Sequence, residues 1–438
     1  MKIIIFTLFL SAGSFSTNAQ ITNKISNNSD TINLKERLWG LTFFWYQIKT
    51  DFAYYGRLSF DWDSTYKNAI SEVINTSERF QYYQILRKLC AKLKDGHTNV
   101  YLPADLRAMY LAYPPLRLKK VENRVFIQTI LNDSLKTAGL NISDEILSIN
   151  KMPLAEYTRK YISPFVCAST PQDSLNRVYT NELLLGARDS SLLLETRTVK
   201  GEIKNIVITR KMIPVKPPYQ PVEYEILKRE HVGILTVNTF DNDSLPQWFE
   251  KIMPQFVECK GLIIDLRRNG GGNSDNAEAL LPYFFANGYY EEQGHTRMHI
   301  SDWKSFGYTG ADGWTGAKND SLWIQSDTSG MKFLKPIVLL TSEKTFSAAE
   351  DFVSTMKDNK RAITIGEATA GSTGQNVFYQ LPGGGSFRLV IKKSTFLNGK
   401  EFVGTGISSD IKVKQTVEDF LNNKDVVLQQ AINYLQGK

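Results

Sequence analysis

The sequence predicts an α/β core in its C-terminal half, preceded by a small helical bundle and a β-rich domain. From about Glu223 onward, apolar runs of strand length alternate with segments of helical periodicity, the pattern of an α/β layer structure. Between about Pro114 and Met212 the pattern changes to short strands: Arg124 to Ile130, Glu145 to Ile149 and Ile203 to Arg210. From about Asp30 to Leu93 apolar residues recur at helical spacing, with Leu34, Leu38, Leu41, Phe44 and Trp45 on one face and Tyr82, Leu86, Leu89 and Leu93 on another. The expected domains are therefore 30–105, 114–212 and 221–438, with Pro217, Pro218 and Pro221 marking a linker.

In the core, His231 to Val237 and Gly261 to Leu266 read as strands, with a helix between them around Leu245 to Phe256. A Gly-rich turn, Arg267 to Asn273, leads into a helix through about Phe285. Three glycines at 270 to 272 let the backbone approach a ligand and expose N–H groups, although a tight strand-to-helix turn explains them equally well. No phosphate-binding loop of the G-x-x-x-x-G-K-[ST] or G-x-G-x-x-G type is present. The aromatic, Gly-rich reach from Gly288 to Gly330 reads as a wall or lid over a cleft. Further strands are expected at Ala362 to Gly366, Phe378 to Leu381 and Phe387 to Ile391, and a closing helix at Val417 to Leu435.

The most informative stretch runs from Pro336 to Met356. An apolar run follows Pro336, the polar Thr341 to Thr345 interrupts it, and Phe346, Ala349, Phe352, Val353 and Met356 then fall at helical spacing. Ser347 thus stands at a helix N-terminus, where free backbone N–H groups and the helix dipole favour a developing oxyanion. The plainer reading is a capping box, Ser347-Ala-Ala-Glu350, in which the serine only satisfies backbone donors.

Composition narrows the classes. The 438 residues are 42% hydrophobic and 22% charged, ordinary for a globular protein, and the net charge of +7 is spread without a dense basic run, so nucleic acid is not an expected partner. Met1 to Gln20 combines Lys2, apolar Ile3 to Leu10 and the small and polar Thr17-Asn18-Ala19, the form of a secretory signal at 1–19. That run is too short to span a membrane, no other segment qualifies, and no cysteine near it offers a lipid anchor. The expectation is an exported protein, periplasmic or extracellular. Cys90, Cys167 and Cys259 form neither a metal pattern nor a disulfide framework. His295 and His299 are four apart but lie in a Gly-rich stretch with no third ligand, so no metal is expected. His97 follows Gly96 directly, on a turn where a helix gives way to an extended segment.

Several motifs now fall in one order. The segment Ala138 to Pro153 resembles the signature of a PDZ domain, a module that adds an extended peptide to a sheet edge. With Asp95-Gly-His-Thr98, Asp265 to Gly272, Thr345 to Glu350, Gly366 to Gly371 and Gly404 to Ile411, the chain resembles the C-terminal processing (tail-specific) serine proteases. That resemblance implies a crotonase- or ClpP-like α/β core with a preceding or inserted PDZ-like domain. It implies Ser347 as nucleophile, with the Ala348 N–H and a glycine N–H from Gly270 and Gly271 as oxyanion hole.

One branch of the family uses a serine–lysine dyad, but Ser372 stands at the lysine position here. The tricorn-like branch, to which interphotoreceptor retinoid-binding protein is also similar, implies His97 as base and Glu401 as the acid behind it. Gly96 replaces the serine that precedes the histidine in that pattern, and Asp95 and Glu367 are other candidates to orient His97. Lys344 is a weaker base candidate, since a lysine must be buried to lose its proton.

The resemblance thus implies a serine peptidase acting on protein or peptide tails without a cofactor. The alternatives are a non-catalytic binder of peptides or apolar ligands on the same scaffold and, more remotely, acyl-CoA chemistry on a crotonase-like core.

Overall fold

The computed structural model describes residues 30–211, 220–291, 293–299, 312–316, 323–326 and 330–437. The expected secretory segment 1–19, Pro217 and Pro218 of the linker, and much of the 288–330 reach lie outside these residues.

A six-stranded sheet organises the C-terminal half. Its order is Ile411–Lys412, Ile363–Gly366, Ile337–Thr341, Gly261–Asp265, Val232–Val237 and Val222–Leu227. Every pairing is parallel except the last, where Val222–Leu227 runs antiparallel along the edge. Parallel sheets are covered on both faces, which explains why Ile337–Thr341 is apolar up to its final threonine and buried at every position. Alternate residues pack on opposite layers. Leu262, Ile264, Ile337 and Leu339 join Phe352, Val353 and Met356 of the Ala348–Asp358 helix. Ile263, Val338, Leu340 and Ile365 meet Val427 and Ala431 of the Val426–Leu435 helix instead.

The helices Leu34–Asp51, Trp62–Ile74 and Arg79–Lys92 share one apolar core with this α/β part. Phe44 meets Phe387 edge-on at 5.0 Å. Behind the third helix, Asn99–Tyr101 pairs antiparallel with Ser386–Val390, which pairs in turn with Asn376–Gln380. This three-stranded sheet carries the His97 turn onto the core.

The β-rich region has its own core, including Ile127, Ile149, Leu194 and Ile208. Its strands run in the order Leu116–Val121, Arg124–Ile130, Glu145–Ile149, Ser191–Arg197, Ile203–Thr209, antiparallel throughout. Between the third and fourth strands, Pro171–Asn176 forms an α-helical turn that continues as a π-helical turn over Arg177–Glu182.

Two expected helices are shorter than their apolar patterns. The closing helix divides into Val417–Leu421 and Val426–Leu435, because Asn423 takes a positive φ of 53° and the Asp425 carboxylate caps the second piece at the Leu428 N–H. The helix after the glycine turn stops at Ser274–Glu278, and Leu281–Phe284, with Pro282 at its start, follows as a 3-10 turn.

Leu339, fully buried on the central serine-bearing strand, tests the weight of this layer. Leu339→Ala should cost about 2–5 kcal/mol through lost burial and the cavity left behind, read as a lower urea midpoint with unchanged slope.

Candidate active site

Two neighbouring parallel strands, Gly261–Asp265 and Ile337–Thr341, leave the sheet at the same edge, with Asp265 opposite Leu340. Their exit loops therefore occupy common space. Asn269 ties them together. Its Nδ2 donates to the Val237 carbonyl at 3.1 Å, its Oδ1 accepts from the Gly271 N–H at 2.9 Å, and its carbonyl accepts from the Phe346 N–H at 3.1 Å. Gly271, at φ +86°, faces Ser347 so closely that a Cβ there would lie 2.6 Å from the Ser347 Cβ and 3.1 Å from the Ala348 nitrogen. Only glycine fits.

Ser347 takes φ 59° and ψ −132° immediately before the Ala348–Asp358 helix. That conformation costs a non-glycine residue about 1–3 kcal/mol and recurs at nucleophile turns between strand and helix. Ser347 and Glu350 form the capping box that the sequence suggests: the Glu350 carboxylate accepts from the Ser347 N–H at 3.3 Å, and the Glu350 N–H turns back onto Ser347, donating to its carbonyl at 2.6 Å. Among the described residues the Ala348 and Gly270 N–H groups have no hydrogen-bond acceptor, whereas the Gly271 N–H is taken by Asn269. Within the glycine pair, Gly270 offers the free donor and Gly271 the close approach.

Glu350 is the buried anchor behind the serine. Its carboxylate accepts from the Thr369 hydroxyl at 2.6 Å and from the N–H groups of Gly371, Ser372 and Ser347 at 2.7, 2.8 and 3.3 Å. Burial pushes its pKa up to about 7 against the pull of these donors. The Ser347 N–H also reaches the Ser372 carbonyl at 3.1 Å. The S-x-x-E pattern singled out this glutamate as a cap, a contact it makes with the Ser347 N–H, and its other partners lie some twenty residues downstream.

His97 lies against the same turn. Its ring stacks on Phe346, the residue before Ser347, with centroids 4.6 Å apart and planes 13° from parallel. Arg177 lies 5.2 Å from the Phe346 ring and pairs with the buried Asp173 at 2.7 Å. The His97 Nδ1 meets the Asn376 amide at 3.0 Å, while Nε2 is buried without a partner. No hydrogen bond joins His97 to Ser347 among the described residues. Burial first, then the positive charges of Arg388 and Arg177, lower the His97 pKa to about 3, so the ring is neutral over the physiological range.

None of the three acids weighed as orienters touches the imidazole. Glu401 forms ion pairs with Arg57 and Lys393. Glu367 pairs with Lys414 at 3.4 Å. The Asp95 carboxylate is buried and accepts from the His97 and Thr98 backbone N–H groups at 3.0 and 2.6 Å, so it shapes the turn rather than the ring. Asn376 holds the Nδ1 side, and no local pattern marked it. The two departures at 96 and 372 are linked in space: a side chain at Gly96 would meet the Ser372 hydroxyl at 3.0 Å, beside Arg177 and Asp173. The Ser372 hydroxyl thus occupies the volume that a residue-96 side chain would need.

Residues 231–413 match the family model of Peptidase family S41. This segment resembles that family. The probable CtpA-like serine protease of Staphylococcus aureus (strain COL) is 25% identical over 286 residues, 64% of this chain and 52% of the relative. The chain therefore spans about half the length of the curated relatives it matches. Among solved structures, mature CPAF complexed with lactacystin superposes with a TM-score of 0.72 at 18% identity, over 92% of this chain and 99% of that one. The photosystem II D1 C-terminal processing protease does so with a TM-score of 0.51 at 18% identity, over 86% and 93%. At these identities the likeness establishes the fold, the S41 protease architecture of a mixed α/β core with added helices and sheet.

Two outcomes test the electrostatics of the site. Glu350→Gln places an amide NH2 among donors only and should cost about 1–3 kcal/mol while slowing reaction of Ser347 with a fluorophosphonate, measured by urea unfolding and by labelling rate. For His97 the folded pKa is depressed from 6.5 to about 3, so its contribution to stability is present above pH 6.5 and is lost as pH falls towards 3. The stability advantage of wild type over His97→Gln should accordingly shrink by ~3 kcal/mol between pH 7 and pH 4.

Proposed function

We propose that the protein is an exported serine peptidase that cleaves protein or peptide substrates through Ser347, with His97 as general base and the Gly270 and Ala348 N–H groups as oxyanion hole. One observation carries this reading: a strained serine packed against the glycine turn follows Phe346, on which a buried imidazole stacks, and precedes the partnerless Ala348 N–H at the helix start. Export rests on the 1–19 segment, whose form is that of a secretory signal. Among the described residues no helix is long and apolar enough to cross a membrane.

In the proposed reaction the Ser347 oxygen attacks the scissile carbonyl carbon as its proton passes to His97 Nε2. The C–O bond forms, and the carbonyl electrons move onto an oxygen held by the two N–H donors. Collapse breaks the C–N bond, and His97 returns the proton to the departing amine. Water then repeats the sequence on the acyl-enzyme.

Nε2 must carry the lone pair, so Nδ1 must carry the hydrogen. The Asn376 amide, whose Nδ2 faces Nδ1 at 3.0 Å, favours this tautomer when it turns over so that Oδ1 accepts from the Nδ1 hydrogen, an orientation that also gives the otherwise partnerless Oδ1 a donor. Asn376 then takes the orienting role that the family resemblance implied for Glu401. The missing hydrogen bond between serine and imidazole accords with a resting site, since such contacts tighten when substrate binds.

The β-rich region 114–212 is proposed to act as the PDZ-like module, presenting Leu116–Val121, a terminal strand of its sheet, to a substrate tail.

Cleavage of casein and of a tailed peptide checks the assignment. Ser347→Ala and His97→Ala should each lower kcat by about 10²-fold or more, and Asn376→Ala by less, whereas Glu401→Gln should stay near wild type. Full activity in Ser347→Ala would rule out the nucleophile. Loss of activity in Glu401→Gln but not in Asn376→Ala would reverse the orienting role.

A further inference from the structure

A cleft of about 460 Å³ opens between the β-rich region and the α/β core, outside the serine and histidine site. It is lined by seven basic and four acidic residues. Two of those bases are already matched: Arg267 is clasped by Asp265 and Asp425, and Lys414 pairs with Glu367. The remaining five, Lys119, Lys120, Arg268, Lys344 and Lys424, form no ion pair among the described residues; Glu122 and Glu343 are the acids of the lining not already paired, and Asp425 and Glu367 act on Lys119 and Lys120 from a distance. Lys119 rests on the neutral Gln415 side chain at 2.5 Å and on the Phe420 ring, and the Lys120 ammonium donates to the Glu122 carbonyl.

Burial, followed by the neighbouring charge of Lys344, holds the Lys119 ammonium below the usual lysine range. Burial and then Lys414 do the same for Lys120. Lys119 and Lys120 are thus partly desolvated and are repelled by Lys344 and Lys414, in a lining where bases outnumber acids by seven to four. An anion seated there would relieve that repulsion.

The cleft adjoins the catalytic loops. Lys344 precedes Ser347 by three residues, so their Cα atoms lie within about 11 Å of each other, the reach of about three extended peptide residues. Arg268 precedes Gly270 by two. The Ser342 hydroxyl donates to the Arg267 carbonyl at 2.7 Å, fixing the two loops side by side.

Building on the peptidase reading above, we propose that this cleft binds the carboxylates of an acidic stretch of the peptide substrate and makes the protein selective for acidic sequences close to the cut. The charges that select are Lys120, Arg268, Lys344 and Lys424. The carboxylates come either from Asp and Glu side chains or from the free C-terminus of the peptide.

The test uses full-length Ser347→Ala protein and fluorescein-labelled peptides of one sequence, with Glu or Gln in the tail and with a free or an amidated C-terminus. Fluorescence anisotropy at 50 mM and 300 mM NaCl reads the affinity. The Glu peptide should bind about tenfold tighter than the Gln peptide, and the difference should fall at the higher salt. A difference that follows the free terminus instead assigns the site to the C-terminal carboxylate.

Adding Lys120→Gln, Lys344→Gln and Lys424→Gln should remove the preference without changing the melting temperature. Equal binding of all four peptides, or an undiminished preference in the triple variant, overturns the inference. The two proposals fail separately. Selective binding by a protein that cleaves nothing would remove the peptidase reading and keep the cleft. Serine-dependent cleavage without charge selectivity would do the reverse.

Discussion

The parallel pairing of Gly261–Asp265 with Ile337–Thr341 is the constraint on which the rest of the site depends. Adjacent parallel strands end at the same edge, so the chain segments that follow them compete for one volume. The conflict is resolved by removing a side chain at Gly271 and by fastening both segments to Asn269. Ser347 is left in a conformation that few residues tolerate, facing the glycine turn across a gap too narrow for a Cβ. The helix that begins at Ala348 adds the unpaired N–H of Ala348 at the same spot.

Desolvation sets the electrical character of this region. Glu350 and His97 both adjoin the serine turn, and burial displaces each towards its neutral form, the acid upward and the imidazole downward. The glutamate offsets part of that cost with four hydrogen bonds, which fix the Thr369–Ser372 loop beneath the serine. The histidine has one ring contact and one amide, which leaves Nε2 uncommitted.

The site is built from three regions of the chain. The helical segment delivers His97 through a short strand whose partner, Ser386–Val390, belongs to the same small sheet as Asn376. Because the outer two strands of that sheet run in the same direction, His97 and Asn376 emerge at one end of it. The turn between Pro171 and Glu182 contributes Arg177 and Asp173 next to Phe346. The β-rich region and the C-terminal segment close the basic cleft beside the serine loop.

The sequence by itself determined the strand, turn and helix around Ser347, the glycine turn, and the strands at 124–130 and 145–149, because each rests on local periodicity and on backbone freedom that only glycine provides. Tertiary structure alone decided the partners. Asn376 meets His97 across 279 residues of chain, and no spacing in the sequence encodes that contact. Glu401, which family likeness placed behind the histidine, is held instead by Arg57 and Lys393, charges brought to it by other segments. Likewise the break at Asn423 interrupts an unbroken helical pattern, because Asp425 is needed both as a cap and as the partner of Arg267. Apolar periodicity fixes which face of an element is buried, but not which distant polar group will meet it there.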